Sequence, residues 1–510
     1  MSTKTSNKNN RLTDRILNSI EKVGNKLPHP IILFFMLSVS ILVISWIVSS
    51  FNIAVQHPAT GETIEAVNLL SKNGVRRIFS DAVSNFTGFA ALGVVIVAML
   101  GVGIADETGL INAVLKKMVL GAPEKYITSA VVFAGIMSNL AADAGYVVLV
   151  PLGAVIFAAQ GRHPLVGLAA AFSGVSGGFS ANLLITAVDP LLAGMTQEGA
   201  QIMNSSYTVA PSANYYFLIV STILVTVIGT WVTEKIVAPR FGEYEGEHTE
   251  ENMATVTPKE DKGLKSAFIW LGIGIILLLI ATIPSNAILR NDQGQLINAG
   301  TPFFQGIVPI IAILFFIPGL AFGKKTGYIK DGNDIAKCLS ESMKDTSGLI
   351  ALFFIISQFV AYFEWSNLGS ILAIEGAGFL QSINFTGLPF ILLFILVVGL
   401  INLFIGGAAT KWAIMSPIFV PMLMQLGYTP EFTQLAYRIG DSVTNIVTPL
   451  MTYFAVVVGF AKKYDDDIGI GTLISTMVPY SIAFYIGWVL LLIAWYVLKL
   501  PIGPGDTILF

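Results

Sequence analysis

The sequence has few charged residues for its length. Of its 510 residues, 12% are Asp, Glu, Lys or Arg and 54% are hydrophobic, whereas a soluble globular domain carries about 25% charge. The net charge is -3, so no basic surface points to nucleic acid as a partner. This deficit excludes a water-soluble enzyme and a disordered chain. With a mean hydropathy of +0.74, the composition indicates a protein that crosses a lipid bilayer many times.

Cysteine and histidine are also scarce. A single cysteine, Cys338, excludes a disulfide framework and a thiolate metal cluster. The histidines lie far apart and have no metal-ligand spacing; they are His29, His57, His163 and His248. We therefore expect no resident cofactor and no bound metal other than a possible transported Na⁺.

Long apolar runs divide the chain. A polar, basic segment, 1–30, precedes the first run, Ile31 to Phe51, which at about 20 residues is long enough to span a bilayer. We read this run as an uncleaved helix with a cytoplasmic amino terminus. A charged segment, 239–265, separates a first membrane half, 31–238, from a second, 266–500, and a tail, 501–510, follows. Further spans are expected near 85–105, 128–147, 164–188, 214–236, 266–283, 303–322, 347–363, 388–404, 433–460 and 478–499.

Two apolar stretches, 137–163 and 405–430, are interrupted by Gly and Pro. They are too short to cross the membrane twice as straight helices. Irregular backbone at membrane depth must be buried in protein or face an aqueous cavity. The sequence therefore predicts two re-entrant helical hairpins in an all-α polytopic membrane protein.

The distribution of Lys and Arg predicts the topology of the loops. Loops 106–127 and 324–346 are rich in lysine, and loop 364–387 has neither Lys nor Arg. By the positive-inside rule the first two are cytoplasmic and the third is external. Loop 239–265 favours the cytoplasm weakly. Loop 52–84 carries three basic residues that argue against its expected external position.

The chain contains an internal repeat. At an offset of 266, residues 142–186 align with 408–452 without a gap. The identical pairs are Ala142/Ala408, Pro151/Pro417, Gly161/Gly427, Pro164/Pro430, Ala170/Ala436, Gly174/Gly440, Ser176/Ser442, Leu184/Leu450 and Thr186/Thr452. The flanking loops predict that the two copies begin on opposite faces of the membrane, which makes an inverted-topology repeat of the kind found in secondary transporters. Such proteins bind substrate near the midplane, which points to 138–146 with 174–189 and to 405–412 with 438–449.

Polar residues in the first copy are candidates for cation coupling. An ionisable residue within a membrane segment is a functional candidate by default. Glycine-rich, unwound backbone at 174–182 would expose carbonyl oxygens that suit Na⁺, although close helix packing also explains small residues. The candidates are Asn139, Asp143, Asn182 and Asp189, together with Asn445 of the second copy.

Charged residues in the second copy are candidates for substrate binding. Arg438 and Asp441 are three residues apart, so they either neutralise each other or present a guanidinium to a substrate carboxylate. Trp412 is either an interface anchor or a stacking surface for a ring. Three further charged residues lie beside turns and are expected to be solvated: Arg162, Glu198 and Glu431.

Two other functions have some support in local patterns. Gly174 to Gly178 matches the G-x-S-x-G nucleophile pattern around Ser176, which would suit an intramembrane serine hydrolase, but no strand precedes it. His163 is the nearest base and lies in a predicted turn. A channel would need a ring of pore-lining groups rather than two interrupted hairpins. We therefore favour a secondary transporter.

The run Lys411-Trp412-Ala413-Ile414-Met415-Ser416-Pro417-Ile418-Phe419-Val420-Pro421-Met422 resembles the AbgT family of p-aminobenzoyl-glutamate transporters. So do Gly161-Arg162-His163-Pro164, Phe179-Ser180-Ala181-Asn182-Leu183-Leu184 and the ending Leu500-Pro501-Ile502-Gly503-Pro504-Gly505. The similarity extends over nearly the whole chain.

The resemblance implies a homodimer in the bacterial inner membrane, with nine transmembrane helices and two re-entrant hairpins per protomer. Family members import p-aminobenzoyl-glutamate or export sulfonamide antimetabolites, using a Na⁺ or proton gradient. The residues that match functional positions of the family are Asp189, Asn402, Trp412, Pro430, Arg438, Asp441 and Pro449. Members often have a serine just before the tryptophan, where this chain has Ala409, so any contact from that hydroxyl to the substrate is absent.

Overall fold

The computed structural model of the protein is mostly helical. It describes residues 28–56, 61–141, 145–242, 244, 256–296, 301–465 and 468–510, without the side chain of Asp345. Two short strands, β1 (Ala54–Gln56) and β2 (Thr63–Glu65), pair in antiparallel orientation. The predicted fold class, an all-α polytopic membrane protein, is confirmed.

The helices follow the apolar runs of the sequence. Those of the first half are α1 (Pro30–Ser50), α2 (Lys72–Ser80), α3 (Ala82–Thr87), α4 (Ala90–Glu107), α5 (Leu110–Leu120), α6 (Ile127–Met137), α7 (Val150–Ala159), α8 (Pro164–Phe172), α9 (Val188–Gln201), α10 (Tyr215–Val232) and α11 (Ala238–Phe241). Those of the second half are α12 (Pro258–Thr282), α13 (Pro302–Gln305), α14 (Ile307–Thr326), α15 (Gly332–Trp365), α16 (Leu368–Ser382), α17 (Leu388–Asn402), α18 (Ala408–Gln425), α19 (Pro430–Asn445), α20 (Phe454–Lys462) and α21 (Ile470–Leu498). Glu124–Tyr126 and Ser138–Ala141 are 3₁₀ turns, and Gly145–Leu149, Ser173–Gly177 and Thr233–Val237 are π-helical.

Seven helical segments in the described ranges are long and apolar enough to cross a bilayer. They are α1, α4, α10 with its continuation through α11, α12, α14, the second part of α15 (Thr346–Trp365) and α21. The apolar segments Pro164–Gly177 and Leu388–Asn402 are shorter, and at 1.5 Å per residue neither reaches the thickness of about 30 Å of a hydrocarbon core. The expected total of nine spans and two hairpins therefore stays a prediction.

Contacts between loops divide the protein into two faces. Lys117 lies 2.5 Å from Asp261, which joins loop 106–127 to loop 239–265. On the other side of α4, Asn367 donates a hydrogen bond of 2.8 Å to the carbonyl of Glu65, which joins loop 364–387 to loop 52–84. Loop 52–84 thus lies with the loop that lacks Lys and Arg, despite its own basic residues. Which of the two faces is cytoplasmic stays a prediction.

The two repeat copies share the same turn geometry at the predicted offset. Gly161 and Gly427 both adopt positive φ, +69° and +87°, which only glycine does without strain. The amide after each glycine bonds back across the turn to the carbonyl five residues earlier, at 2.9 and 3.0 Å, the pattern of a Schellman motif. Pro164 and Pro430 then begin α8 and α19, where a missing N–H costs nothing. The repeat is therefore present in the backbone as well as in the sequence.

The two copies have opposite orientations. The turn after α7 contains Arg162, which pairs at 2.8 Å with Glu234 near the end of α10. The equivalent turn after α18 contains Thr429, whose backbone and hydroxyl groups bond to the tail 501–510. That tail accepts a hydrogen bond from the amide of Tyr216 at the start of α10. Equivalent turns therefore lie at opposite ends of one spanning helix, as an inverted repeat requires.

The interrupted stretches differ in detail from the prediction. The stretch 405–430 contains one helix, α18, which continues through both Pro417 and Pro421. The main break precedes that helix, at Gly407, whose φ of +83° suits glycine. In the stretch 137–163, α7 follows the π-helical turn Gly145–Leu149, and α6 and α17 come before the two breaks. Proline inside a helix removes a hydrogen bond without ending the helix, so Pro417 and Pro421 do not mark the turn of a hairpin. The two predicted hairpins stay a prediction.

The geometry around both breaks is that of a chain that turns back on itself. Arg162 donates a hydrogen bond of 3.0 Å to the hydroxyl of Thr128, so the ends of the segment between them lie together. In the second copy, the rings of Phe394 in α17 and Phe419 in α18 are 4.9 Å apart.

The carboxyl-terminal tail holds a buried acid. Oδ2 of Asp506 is inaccessible to solvent and has no hydrogen-bond partner among the described residues. Burial, and then the nearby Glu431 carboxylate, raise the pKa of Asp506 from the usual 3.8 to about 8. Since the docked tail favours the protonated acid, this contribution to docking is complete below pH 3.8 and is lost as the pH rises through about 8.

We therefore expect the tail to be digested by carboxypeptidase faster at pH 9 than at pH 6. Asp506→Asn keeps the shape without the charge, so its digestion should be slow at both values. Asp292→Asn, at an exposed loop position, is the matched control and should behave as the wild type. An unchanged pH dependence in Asp506→Asn would show that another group is responsible.

Candidate functional site

Both spans that were predicted to be broken are broken. After α8 the chain forms a π turn, Ser173–Gly177, and then runs irregularly to α9 at Val188. After α19 it runs irregularly from Ile446 to α20 at Phe454. The two breaks bring polar side chains of both repeats to the interior of the protein.

A polar stripe runs along α19. Its members recur every three or four residues, so they lie on one face of the helix; they are Glu431, Gln434, Arg438, Asp441 and Asn445. The first four are buried and Asn445 is half-buried. A polar face that is turned into the protein rather than to water indicates function.

Arg438 binds across the repeat boundary. Its Nη1 lies 2.5 Å from Oδ1 of Asp189 at the start of α9, and its Nε lies 3.5 Å from Oγ of Ser180. Oδ2 of Asp189 accepts bonds of 2.6 and 2.9 Å from the amide and hydroxyl of Thr186. Both charged side chains are at most 3% exposed. The alternative that Arg438 neutralises Asp441 on its own helix is wrong, because Arg438 points toward the first repeat.

Asp441 has a different partner, Lys411 in α18. Nζ of Lys411 lies 2.6 Å from Oδ1 of Asp441, and the two side chains are 0% and 1% exposed. This distance is that of a close, buried ion pair. Oδ2 of Asp441 accepts a bond of 3.3 Å from Asn445. Lys411 is an ionisable residue in an apolar stretch and so a candidate by default, but the sequence assigned it no role at the site.

Asn402 contacts both Lys411 and Asp441, as well as Asn445. Its Nδ2 lies 2.8 Å from the carbonyl of Asp441 and 2.8 Å from Oδ1 of Asn445. Its Oδ1 accepts a bond from Nζ of Lys411. Asn402 and Lys411 flank the break before α18, so the break brings them onto the polar face of α19.

Trp412 is fully buried and stacks on the protein itself. Its ring is 4.4 Å from that of Tyr437, with 27° between the planes. Its Nε1 donates a bond of 2.9 Å to Oγ1 of Thr196, which lies 2.6 Å from Oε1 of Gln434. Trp412 is therefore neither an interface anchor nor an open stacking surface in this conformation. Thr196 and Gln434, which sequence reasoning missed, hold the indole in place.

The asparagines of the first copy form a separate group. Asn139 donates bonds of 3.0 and 3.1 Å to the carbonyls of Ile136 and Val175, and Asn182 donates one of 3.3 Å to the same carbonyl of Ile136. Of the carbonyls at 174–182 that were expected to bind Na⁺, that of Val175 thus accepts a bond from a side chain. Among the described residues, no hydrogen bond or ion pair joins Asn139 or Asn182 to Asp189. Asp143 lies outside the described residues.

The remaining predicted residues have structural positions. Pro430 begins α19, and Pro449 lies in the break that follows this helix. The expectation that Glu431 is solvated was wrong, since it is 4% exposed and accepts a bond of 3.0 Å from the hydroxyl of Tyr207. Glu198 is half-buried and accepts a bond of 2.9 Å from the amide of Ala90.

The geometry does not support hydrolysis. Oγ of Ser176 lies 3.1 Å from the sulfur of Met451. His163, the nearest base in the sequence, packs its ring against Phe241 and caps α8. Within the ranges that the structure describes, no three His, Cys, Asp or Glu residues are grouped so that they could hold a metal ion.

The bond between Trp412 and Thr196 leads to a prediction. Thr196→Val leaves the indole N–H buried without an acceptor, which should cost about 1–3 kcal/mol and lower the unfolding midpoint in detergent. Thr222→Val is the matched control, because Thr222 is equally buried but bonds only to a carbonyl of its own helix. Equal midpoints for the two variants would show that the bond to Trp412 is unimportant for stability.

Comparisons with known proteins agree with this architecture. The family model described as the AbgT putative transporter family matches residues 15–510. The p-aminobenzoyl-glutamate transport protein of Escherichia coli (strain K12) is 37% identical over 486 residues, which cover 95% of each chain.

Two solved structures have the same fold. The YdaH transporter of Alcanivorax borkumensis has a TM-score of 0.89 and 41% identity, covering 94% of this chain and 100% of its own. MtrF of Neisseria gonorrhoeae, described as illustrating a class of antimetabolite efflux pumps, has a TM-score of 0.90 and 44% identity, covering 96% and 100%. The protein therefore belongs to the AbgT putative transporter family, whose members are membrane transporters and not enzymes.

Proposed function

We propose that this transporter moves p-aminobenzoyl-glutamate or a similar aromatic carboxylate, driven by a Na⁺ or proton gradient. The observation that carries the proposal is the buried pair of Arg438 and Asp189, which joins the two repeats at 2.5 Å. A buried guanidinium in the middle of an inverted repeat is suited to bind a carboxylate. The similarity to a p-aminobenzoyl-glutamate transport protein supports this choice of substrate.

The pair suggests how substrate and cation are coupled. The substrate's glutamyl carboxylate takes the place of Asp189 on Arg438, and the released Asp189 binds the coupling cation. Thr186 Oγ1 and Ser180 Oγ lie beside this carboxylate and guanidinium, so oxygen ligands for Na⁺ are close. In this exchange Arg438 stays paired with a carboxylate and Asp189 stays paired with a cation. Leaving either charge buried without a partner would cost several kcal/mol, about 3–5. Substrate and cation therefore bind together.

The substrate-bound state differs from the conformation described above. In this scheme Trp412 stacks on the aminobenzoyl ring and Asn402 bonds to the amide of the substrate. Here Trp412 stacks on Tyr437 and Asn402 bonds to the protein. We therefore regard this conformation as an empty, closed state in which protein groups occupy the contacts of the substrate. Opening requires α18 to move relative to α19.

We also propose that both breaks belong to re-entrant hairpins, of α6 with α7 and of α17 with α18. The bond between Thr128 and Arg162 supports the first, and the ring contact of Phe394 with Phe419 supports the second.

We propose further that the protein is a homodimer in the bacterial inner membrane with its amino terminus in the cytoplasm. The resemblance supports the dimer and the membrane, and the loop charges support the orientation.

A second candidate function is the efflux of sulfonamide-type antimetabolites. It is favoured by the similarity to MtrF, which is described as belonging to a class of antimetabolite efflux pumps. A sulfonamide and an aminobenzoyl compound share the aromatic amine, so Trp412 could stack on either. The two functions differ in the direction of transport.

Radiolabelled transport in proteoliposomes tests the proposal. We expect p-aminobenzoyl-glutamate to accumulate when a Na⁺ or pH gradient is imposed, and we expect internal ATP to have no effect. Sulfonamide exchange measured in the same vesicles separates the two candidate substrates. Vesicles that transport neither compound under any ion gradient, yet do so with ATP, would contradict secondary transport.

A further inference from the structure

A large apolar cavity lies outside the polar site. It has a volume of about 660 Å³ and is lined mainly by side chains of α5, α12 and α14. None of the charged residues of the site lines it. Binding sites for polar molecules contain a few convergent polar groups, and the lining here is almost wholly hydrocarbon. The chemistry of this cavity suits an aliphatic chain.

The cavity opens toward the outside of the protein through α12. Phe268 and Ile275 of this helix line the cavity and are also 52% and 43% exposed. Neighbouring side chains on the outer face, such as Ile276, are exposed and apolar as well. A span with such a surface is suited to contact with the hydrocarbon of a bilayer, which would give lipid chains direct access to the cavity. An empty apolar cavity also forfeits dispersion contacts in proportion to its size, which favours an occupant.

Positive charge is concentrated at one end of the same three helices. They carry seven lysines and two acids, all near this end: Lys116, Lys117, Lys259, Glu260, Asp261, Lys262, Lys265, Lys324 and Lys325. The acids pair with Lys116, Lys117 and Lys265. The cavity reaches the same end, because Met118 and Ala267, which lie within two residues of Lys117 and Lys265, are part of its lining.

We propose that this cavity binds one acyl chain of an anionic phospholipid, whose headgroup lies against the lysines at the ends of α12 and α14. The apolar lining selects the chain, and the excess of lysine over acid selects the charge of the headgroup. Lys262, Lys324 and Lys325 are exposed and have no ion pair among the described residues. The bound lipid fills the space between three helices that border the first repeat.

Native mass spectrometry of the full protein with added lipid tests this proposal. The probes are phosphatidylglycerol and phosphatidylethanolamine with identical acyl chains. We expect the wild type to retain phosphatidylglycerol through detergent exchange and to retain less phosphatidylethanolamine. Lys262→Gln combined with Lys324→Gln and Lys325→Gln should bind the two lipids equally, because the preference for charge is lost. The single change Lys344→Gln, on α15, controls for the loss of a surface lysine.

Filling the cavity tests the position of the acyl chain. Leu271→Trp places a larger ring inside it, and Leu314→Phe is a smaller change with the same aim. Both should lose the retained lipid, whereas Leu277→Trp, on the exposed outer face of α12, should keep it. Retention by Leu271→Trp and Leu314→Phe equal to that of Leu277→Trp would overturn the proposal. So would a lipid-free wild-type dimer that dissociates on Leu271→Trp, since a second copy of the chain would then fill the cavity.

Discussion

Arg438→Ala is expected to abolish binding of p-aminobenzoyl-glutamate at concentrations that saturate the wild type. Removal of one partner of a buried, hydrogen-bonded charge pair typically costs about 2 kcal/mol or more, or at least about 30-fold in Kd. Arg438→Lys keeps the charge but loses the fork of donors that matches a carboxylate. We therefore expect a smaller loss for lysine than for alanine. Equilibrium binding of the radiolabelled substrate in detergent measures both.

The loss must be separated from damage to the fold. Arg438→Ala leaves the Asp189 carboxylate buried without the guanidinium that pairs with it. The double variant Arg438→Ala with Asp189→Asn removes both charges, so its unfolding midpoint in detergent should be higher than that of the single variant. It should still fail to bind substrate. Arg162→Ala is the matched control, because Arg162 also pairs with an acid but is 29% exposed and lies in a turn. Wild-type affinity in the double variant would contradict the assignment of Arg438 to the substrate.

Lys411→Met should be strongly destabilising although it leaves the packing volume nearly constant. It leaves Asp441, 1% exposed, without a counter-charge, and breaking a buried ion pair in this way costs about 3–5 kcal/mol. The change also removes the donor to Asn402. We expect a large fall in the unfolding midpoint in detergent micelles and loss of transport.

A second substitution should recover the stability without the function. In Lys411→Met with Asp441→Asn both charges are gone, and a buried pair replaced by neutral groups of similar size is often neutral in stability. Lys344→Met is the control, since Lys344 pairs with Glu341 at 2.7 Å on the surface, where such a pair contributes about 0–1 kcal/mol. A double variant no more stable than Lys411→Met alone would show that the cost arises from lost packing.

The architecture could be predicted from local patterns. Apolar runs locate the spans because a bilayer requires about 20 apolar residues. The repeat could be found because Gly161 with Pro164 and Gly427 with Pro430 are the residues that a Schellman turn and a helix start demand. The limits of the helices within the two interrupted stretches could not be predicted in this way. Proline inside α18 resembles a helix break in sequence, and only the fold shows that the helix continues.

The pairing of charges could not be predicted from the sequence. Arg438 and Asp441 are close in sequence and favour a local pair, yet each binds a residue of another helix, Asp189 and Lys411. Spacing along one helix says which residues share a face but not what lies opposite that face. No role could be assigned to Lys411 for the same reason, since its partner is thirty residues away along the chain and is brought to it by the packing of α18 on α19.

The exchange of Asp189 for substrate on Arg438 is tested most directly by the affinity for p-aminobenzoyl-glutamate at varied Na⁺ concentration and pH. In the wild type, affinity should rise with whichever cation neutralises Asp189, because only then is the guanidinium free. In Asp189→Asn the side chain is already neutral, so affinity should be high without the cation and should not depend on it. An equal cation dependence in the wild type and in Asp189→Asn would contradict the exchange.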